Sequence, residues 1–228
     1  DRRGEPRNKP PYPGQHGLRG LPTLINNVET FALAVGIVHH GPDWWRDRGV
    51  GECSGLKFVS ICGDVVSPGV YELPMGTTFG DLIDRAGGIV GNEPLKAFLP
   101  GGASSRFLAA DRADTPIDFD AVTDAGSMLG TGAVVVFAET RNLFDIATNL
   151  VRFFRNESCG KCVPCRIGSD RAVSLLEAVA EGSRTADELA ELEPLNRTLE
   201  QTSICGLGQV ALIPAISMLE HFPDEVPS

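Results

Sequence analysis

The spacing of apolar positions changes twice along the chain. In the first stretch, residues 1–54, a Pro- and Gly-rich coil (Pro10-Pro11-Tyr12-Pro13-Gly14) leads into Leu24-Ile25-Asn26-Asn27 and an apolar run over residues 31–38. A helix is predicted over 28–39, with Asn26 or Asn27 as N-cap, since a short polar side chain there accepts from the first free N–H groups. In the second stretch, residues 55–138, the period falls to two. Leu56-Lys57-Phe58-Val59-Ser60-Ile61 alternates like a strand, Ser67-Pro68-Gly69 is a turn, and Val70-Tyr71-Glu72-Leu73 completes a hairpin. Thr78-Phe79-Gly80-Asp81 resembles a capping box and opens a short helix over 79–86, ended by Gly87-Gly88. Residues 95–99 and Ala133-Val134-Val135-Val136-Phe137 supply further strands. A hairpin, a helix and more strands in so short a span suggest a β-grasp-like module.

In the third stretch, residues 139–228, the period lengthens to that of a helix. Leu143, Ile146, Ala147, Leu150, Val151 and Phe154 fall on one helical face. Val173, Leu176 and Val179, flanked by Leu175, mark a second helix. Residues 186–202 form a third, broken at Pro194, and residues 214–222 a fourth, with Pro214 in its first turn. The short connections predict a four-helix bundle. The fold class expected is therefore α+β, in three regions: 1–54, 55–138 and 139–228.

Composition narrows the function. The chain is 42% hydrophobic and 22% charged, as a globular protein should be, and its formal net charge of −10 disfavours nucleic-acid binding, which needs Lys and Arg against phosphate. The apolar run over 31–38 is far shorter than the roughly 20 residues of a membrane-spanning helix. The opening Asp1-Arg2-Arg3-Gly4-Glu5-Pro6-Arg7 has no apolar core behind it, so no secretory signal is read and direct membrane insertion is not expected. The expected place is the cytoplasm, where a membrane-bound partner is still allowed and where the six cysteines stay reduced.

Four of those cysteines carry the strongest chemical signal. Glu157-Ser158-Cys159-Gly160-Lys161-Cys162-Val163-Pro164-Cys165-Arg166, followed by Ser203-Ile204-Cys205-Gly206, is a C-x2-C-x2-C loop with a distant fourth cysteine. A cubane iron–sulfur cluster needs one thiolate for each of four irons. Cys159, Cys162 and Cys165 can wrap one face from a single loop, and Cys205 closes the set from the end of another helix. Gly160 lets the backbone approach closely. Cys165 enters a helix, whose first N–H groups stabilise thiolate and sulfide charge. The rival is zinc held tetrahedrally by four cysteines, a site that usually pairs two C-x2-C knuckles. Cys53 and Cys62 read as buried small hydrophobes. His16, His39, His40 and His221 show no metal spacing, Trp44 and Trp45 read as packing residues, and the acidic stretch 188–193 reads as a solvated helix face.

Glu157-Ser158-Cys159-Gly160-x-Cys162-x-Pro164-Cys165-Arg166-x-Gly168 closely resembles the cluster signature of the NADH-binding flavoprotein subunit of respiratory complex I. The same signature occurs in the diaphorase subunit of NAD-reducing hydrogenases and the beta subunit of NAD-dependent formate dehydrogenases. Residues 3–7 through Pro22-Thr23-Leu24-Ile25-Asn26-Asn27-Val28-Glu29-Thr30 resemble the closing part of that family's flavin domain. Ser60-Ile61-Cys62-Gly63-Asp64-Val65 with Pro68-Gly69-Val70-Tyr71-Glu72-Leu73-Pro74 resembles its ubiquitin-like β-grasp domain.

The resemblance implies three regions: the tail of a Rossmann-like FMN/NADH-binding domain over 1–54, a β-grasp domain of the SLBB kind over 55–138, and a helical bundle binding a [4Fe–4S] cluster over 139–228. It implies that Cys159, Cys162, Cys165 and Cys205 are the cluster ligands and that Asn26 and Asn27 lie against the flavin mononucleotide, the rival reading being that one of them only caps the helix. It further implies an NADH dehydrogenase-type oxidoreductase subunit. Electrons pass from FMN to the cluster and on to other iron–sulfur subunits, and NAD(H) is the substrate of the complete subunit.

The family's Gly-rich flavin loop lies upstream of the segment present. Gly101-Gly102 and Gly130-Thr131-Gly132 read as turns and do not replace it. The chain is then a fragment of a longer subunit or the second half of a split one, and alone it should not oxidise NADH. Cys205-Gly206-Leu207-Gly208-Gln209 and His221-Phe222-Pro223 lean toward the soluble hydrogenase and formate dehydrogenase type. The competing class is a non-catalytic iron–sulfur carrier or scaffold. Lys161 and Arg166 flank the ligands, and their charge either favours the reduced cluster or is merely solvated.

Overall fold

The computed structural model describes residues 10–227; the expectation resting on residues 3–7 lies outside them. Among its described residues the first region holds three α-helices, Pro13–His16 (α1), Val28–His40 (α2) and Pro42–Arg46 (α3). Asn27 is the N-cap of α2, its side chain accepting from the Glu29 N–H at 2.7 Å. No residue of α2 is buried, and Val28, Val35 and Val38 are 70–87% exposed. Glu29 ties α2 to the sheet: its carboxylate accepts from the Phe58 N–H at 2.8 Å and the Lys57 ammonium at 3.1 Å. That backbone N–H is available because strand β1, Leu56–Gly63, pairs with its parallel neighbour only from Ser60 onward.

The sheet follows. β1 and β2 (Gly69–Pro74) form the expected antiparallel hairpin. Helix α4 (Phe79–Arg85) starts at a complete capping box: the Thr78 side chain accepts from the Asp81 N–H and Asp81 reaches back to the Thr78 N–H. β3 (Leu95–Leu99), a two-residue β4 (Leu108–Ala109), helix α5 (Phe119–Asp124) and β5 (Ala133–Ala138) complete a five-stranded mixed sheet, ordered β2-β1-β5-β3-β4. β5 runs parallel to β1 and antiparallel to β3.

Alternation along β3 and β5 divides the interior in two. Phe98, Val134 and Val136 point into a core with Val59, Ile61, Leu73 and the α4 residues Phe79 and Leu82. The Phe79 and Phe98 rings, both fully buried, lie 4.9 Å apart and tilted; each aromatic buried in this way contributes roughly 1.5–3 kcal/mol. Ala97, Leu99, Val135 and Phe137 point the other way, into a core shared with the helices. β5 is thus covered on both faces, which is why it reads as an unbroken apolar run.

Helices α6 (Leu143–Glu157) and α7 (Val163–Ala180) are packed side by side and joined by a short loop. Leu143, Ala147, Val151 and Phe154 of α6 are buried, as their spacing requires. α8 (Leu192–Thr202), a five-residue α9 (Gly206–Val210) and α10 (Ile213–His221) follow. α6, α7, α8 and α10 pack around one core. The third helix is not one broken at Pro194. Residues Ala186–Glu191 form a 3-10 stretch, and α8 begins at Leu192, so Pro194 sits in its first turn, where a missing N–H leaves no intrahelical bond unmade. The acidic stretch is engaged in ion pairs: Arg171 with Glu191 at 2.7 Å and Arg197 with Glu193 at 3.5 Å. Among the described residues no helix is long and apolar enough to cross a membrane.

One polar clamp joins the end of β1 to the start of α6. Arg141 donates to both oxygens of Asp64 at 2.6–3.1 Å, and the Ala138 N–H donates to the same carboxylate at 3.0 Å. The guanidinium hydrogen bond holds the Asp64 carboxyl below its ordinary pKa, against the opposing effect of burial and with help from the Ala138 N–H. A lowered folded pKa contributes stability that is present above the unfolded value of about 3.9 and is lost as pH falls through the folded one. The stability gap between wild type and Asp64→Asn should therefore be constant near neutrality and shrink below about pH 4. Urea titrations at pH 7 and pH 3 read this directly, and an equal gap at both would contradict it.

Candidate metal centre

The four cysteines of the spaced motif come from two neighbouring connections. Residues 158–162 link α6 to α7, and residues 203–205 link α8 to α9. Cys162 is the N-cap of α7, Pro164 occupies its first turn and Cys165 follows as the third helical residue. Cys205 is not at the end of a helix: α8 stops at Thr202, and Cys205 is the N-cap of α9. All four are free thiols. Cys165 is buried, Cys162 half-buried, and Cys159 and Cys205 exposed.

The loop conformation follows from a few residues. Gly160 has φ +77°, and a Cβ there would meet only Arg166 Cδ at an ordinary 3.9 Å. The glycine serves its positive φ, not the close approach that its neighbours suggest in sequence. Arg166 donates from its guanidinium to the Gly160 carbonyl, and Lys161 is exposed to solvent. The close approach lies instead at Gly208. A Cβ there would come within 2.4 Å of Ser203 Oγ and 2.9 Å of Cys165 Cβ. Gly168 likewise lets α7 lie on α8, since its Cβ would meet Leu199 Cδ1 at 2.3 Å.

The sulfurs are set in a partly polar frame. The Cys162 pKa is lowered chiefly by a hydrogen bond from the Ile204 N–H, opposed by burial and supported by the Cys165 N–H. That first bond ties the two connections together. Burial pushes the Cys165 thiol up, the Ser158 hydroxyl pulls it down, and the charges of Cys162, Cys205 and Cys159 raise it further. Cys165 thus feels the charge of the other three sulfurs, and a cationic group beside it would relieve that repulsion. The Cys165 thiol donates to Ser158 Oγ at 3.2 Å, the Gly160 N–H donates to the same oxygen at 3.3 Å, and the Ser169 hydroxyl donates to the Cys165 carbonyl at 2.6 Å. Among the described residues no three His, Cys, Asp or Glu side chains are grouped as a ready-made site for a single metal ion, and four thiolates would serve a zinc ion or an iron–sulfur cluster alike. The donor set suits an iron–sulfur group: four thiols, backbone N–H groups aimed at sulfur, and a buried hydroxyl, Ser203 Oγ, with no hydrogen-bond partner among the described residues.

The other residues singled out lie elsewhere. Asn26 and Asn27 are exposed at the start of α2, where Asn26 Oδ1 accepts from the Asn27 N–H at 2.9 Å. Cys62 is not buried: it lies on the outward side of β1, because Val59 and Ile61 take the inward positions. Cys53 is half-buried beside Asp118, and its pKa is raised first by burial and then by that carboxylate. Trp44 packs against His40, with ring centroids 5.1 Å apart, and under Arg48 at 4.2 Å. Ser158, Ser203, Ile204, Gly208 and Glu29 were not singled out by pattern. For the two serines the available signal was their place, immediately before Cys159 and two residues before Cys205.

The class this site defines is an iron–sulfur protein. A family model described as the NADH-ubiquinone oxidoreductase-F iron-sulfur binding region matches residues 145–228, and an SLBB domain model matches residues 58–107. The chain is 40% identical over 224 residues to the F subunit of the NADH-quinone oxidoreductase of Mycobacterium bovis, covering 98% of this chain and 50% of that protein. It is 36% identical over 225 residues to the HndC subunit of the NADP-reducing hydrogenase of Solidesulfovibrio fructosivorans, covering 98% and 46%. In a crystal structure of NAD+-reducing [NiFe]-hydrogenase in the H2-reduced state, a chain 35% identical superposes with a TM-score of 0.82, covering 97% of this chain and 38% of that one. Over nearly its whole length the chain is similar to NADH-quinone oxidoreductase F subunits and their hydrogenase counterparts, and it spans about half the length of the relatives it matches. Identities of 40% and 36% give no support to the lean toward the soluble type.

Proposed function

We propose that this chain is the electron-transfer portion of an NADH:acceptor oxidoreductase flavoprotein subunit, with Cys159, Cys162, Cys165 and Cys205 holding a [4Fe–4S] cluster. The observation that carries this reading is the meeting of the 158–162 and 203–205 connections through the Ile204 N–H and the Cys162 sulfur. When bound, the cluster supplies a one-electron relay between a two-electron flavin and partner iron–sulfur subunits. The chain's residues prepare its seat. α7 presents Cys162 and Cys165 at its N-terminal, partly positive end, and burial of Cys165 excludes water from one side. The exposure of Cys159 and Cys205 leaves the other side near the surface, where an electron can leave for a partner.

In this reading residues 1–54 are the tail of an FMN/NADH-binding domain, residues 55–138 a β-grasp domain and residues 139–228 the helical cluster domain. The exposed apolar positions Leu24, Ile25, Val28, Val35 and Val38 support the first assignment, since a helix so uncovered suits part of a larger domain. Asn26 and Asn27 would hold the FMN. Asn27 spends its carbonyl oxygen as a helix cap, so its amide NH2 is the group that would serve the flavin. The assembly works on the cytoplasmic side, with NAD(H) as substrate of the complete subunit.

Anaerobic purification, iron analysis and low-temperature EPR after dithionite reduction test the proposal. About four irons per chain, a reduced [4Fe–4S] signal and no NADH-dependent dye reduction by the chain alone are expected. A colourless protein with one zinc would overturn the cluster assignment, and dye reduction by the chain alone would overturn the partial flavin site.

A further inference from the structure

Ser203 is 93% buried, and its hydroxyl oxygen has no hydrogen-bond partner among the described residues. Its backbone groups are both occupied: the N–H donates to the Leu199 carbonyl at 2.9 Å, and the carbonyl accepts from Gln209 Nε2 at 3.2 Å. The residue is therefore fixed at the end of α8 while its hydroxyl is uncommitted. A buried hydroxyl left without a partner is expensive, and an alanine would fill such a place without that expense. The glycine packed against it shows what lies nearby. At Gly208 a Cβ would crowd Ser203 Oγ at 2.4 Å and Cys165 Cβ at 2.9 Å, so these two side chains are neighbours across a residue that has none. Cys165 is the most deeply buried of the four cysteines, where a single hydrogen bond to sulfur is least screened by water.

We propose that the Ser203 hydroxyl donates a hydrogen bond to the sulfur at the Cys165 corner of the cluster and holds the cluster's reduction potential up. This role rests on the iron–sulfur reading above. On reduction the cluster gains one electron from a one-electron reductant; no protein bond forms or breaks, and Ser203 keeps its proton. A donor aimed at sulfur favours the state with the extra negative charge. Ser203 is thus a positioning and tuning residue, acting through the ligand sphere.

The test is an EPR-monitored dithionite titration of the purified full chain as wild type, Ser203→Ala and Ser203→Thr. Ser203→Ala should lower the reduction equilibrium constant about tenfold, a shift of about 59 mV to more negative potential, at unchanged iron content, and Ser203→Thr should restore the wild-type value. If Ser203→Ala takes up no cluster while Ser203→Thr loads and titrates like wild type, the hydroxyl is again what the site requires. An unchanged potential in Ser203→Ala, or a Ser203→Thr variant no better than Ser203→Ala, overturns the proposal. A wild-type chain with no [4Fe–4S] signal would instead fail the iron–sulfur reading itself.

Discussion

Cys205→Ala should abolish the dithionite-reduced [4Fe–4S] signal and drop the iron content well below the about four per chain of the intact protein. Three of the sulfurs lie within seven residues on one loop and helix start; Cys205 alone comes from the second connection, at the N-cap of α9. Each iron of a cubane needs its own thiolate. Neither remaining cysteine can substitute: Cys62 lies on the outward side of β1 and Cys53 beside Asp118. The loss should be larger than for any substitution outside the ligand set, because no nearby thiol can take the place. Circular dichroism of the variant should keep its helical signal, since Cys205 is exposed and outside the buried core. A variant with unaltered iron and an unaltered EPR spectrum would remove Cys205 from the ligand set.

Gly63→Ala should be among the most destabilising single substitutions in the sheet. Gly63 closes β1 with φ +93°, and a Cβ would lie 2.2 Å from the Val136 carbonyl oxygen and 2.8 Å from the Val136 nitrogen of β5. These are backbone atoms of a strand covered on both faces, so neither partner can move aside cheaply. An alanine must both take up a left-handed conformation and push β5, for a combined cost of about 3 kcal/mol. For a chain of this size that lowers the thermal midpoint by roughly 6–12 °C. Gly126→Ala is the matched control, with φ +88° and no atom within 4 Å of its Cβ. It should carry only the conformational part, about 1–2 kcal/mol. Equal midpoints for the two variants would show that the β1–β5 approach is not the constraint.

Most of what the chain announces in its pattern is what a local rule can see. The hairpin at Ser67-Pro68-Gly69, the Thr78–Asp81 capping box and the buried face of α6 depend on neighbours in sequence, and the structure has each of them. β4 and α9 are two and five residues long, shorter than the window in which a period can be recognised, and neither was foreseen. Pro194 misled because a proline inside an apolar pattern looks like a break, whereas here it lies in a first turn. In the candidate centre the cysteines were legible from their spacing. The Ile204 N–H, the Ser203 hydroxyl and the bare face of Gly208 were not, because each matters only once α8 and α9 have been laid beside the start of α7.

The double coverage of β5 has a consequence for how the molecule holds together. Val134 and Val136 belong to one interior and Val135 and Phe137 to the other, on adjacent residues of one strand. That strand lies in neither of the two matched family regions, 58–107 and 145–228. It is the party wall between them. Separating the two would uncover apolar side chains of both interiors, so sheet and helices are expected to unfold together in a single transition. The cysteine connections therefore hang on helices whose core is shared with a sheet that contributes none of the proposed ligands.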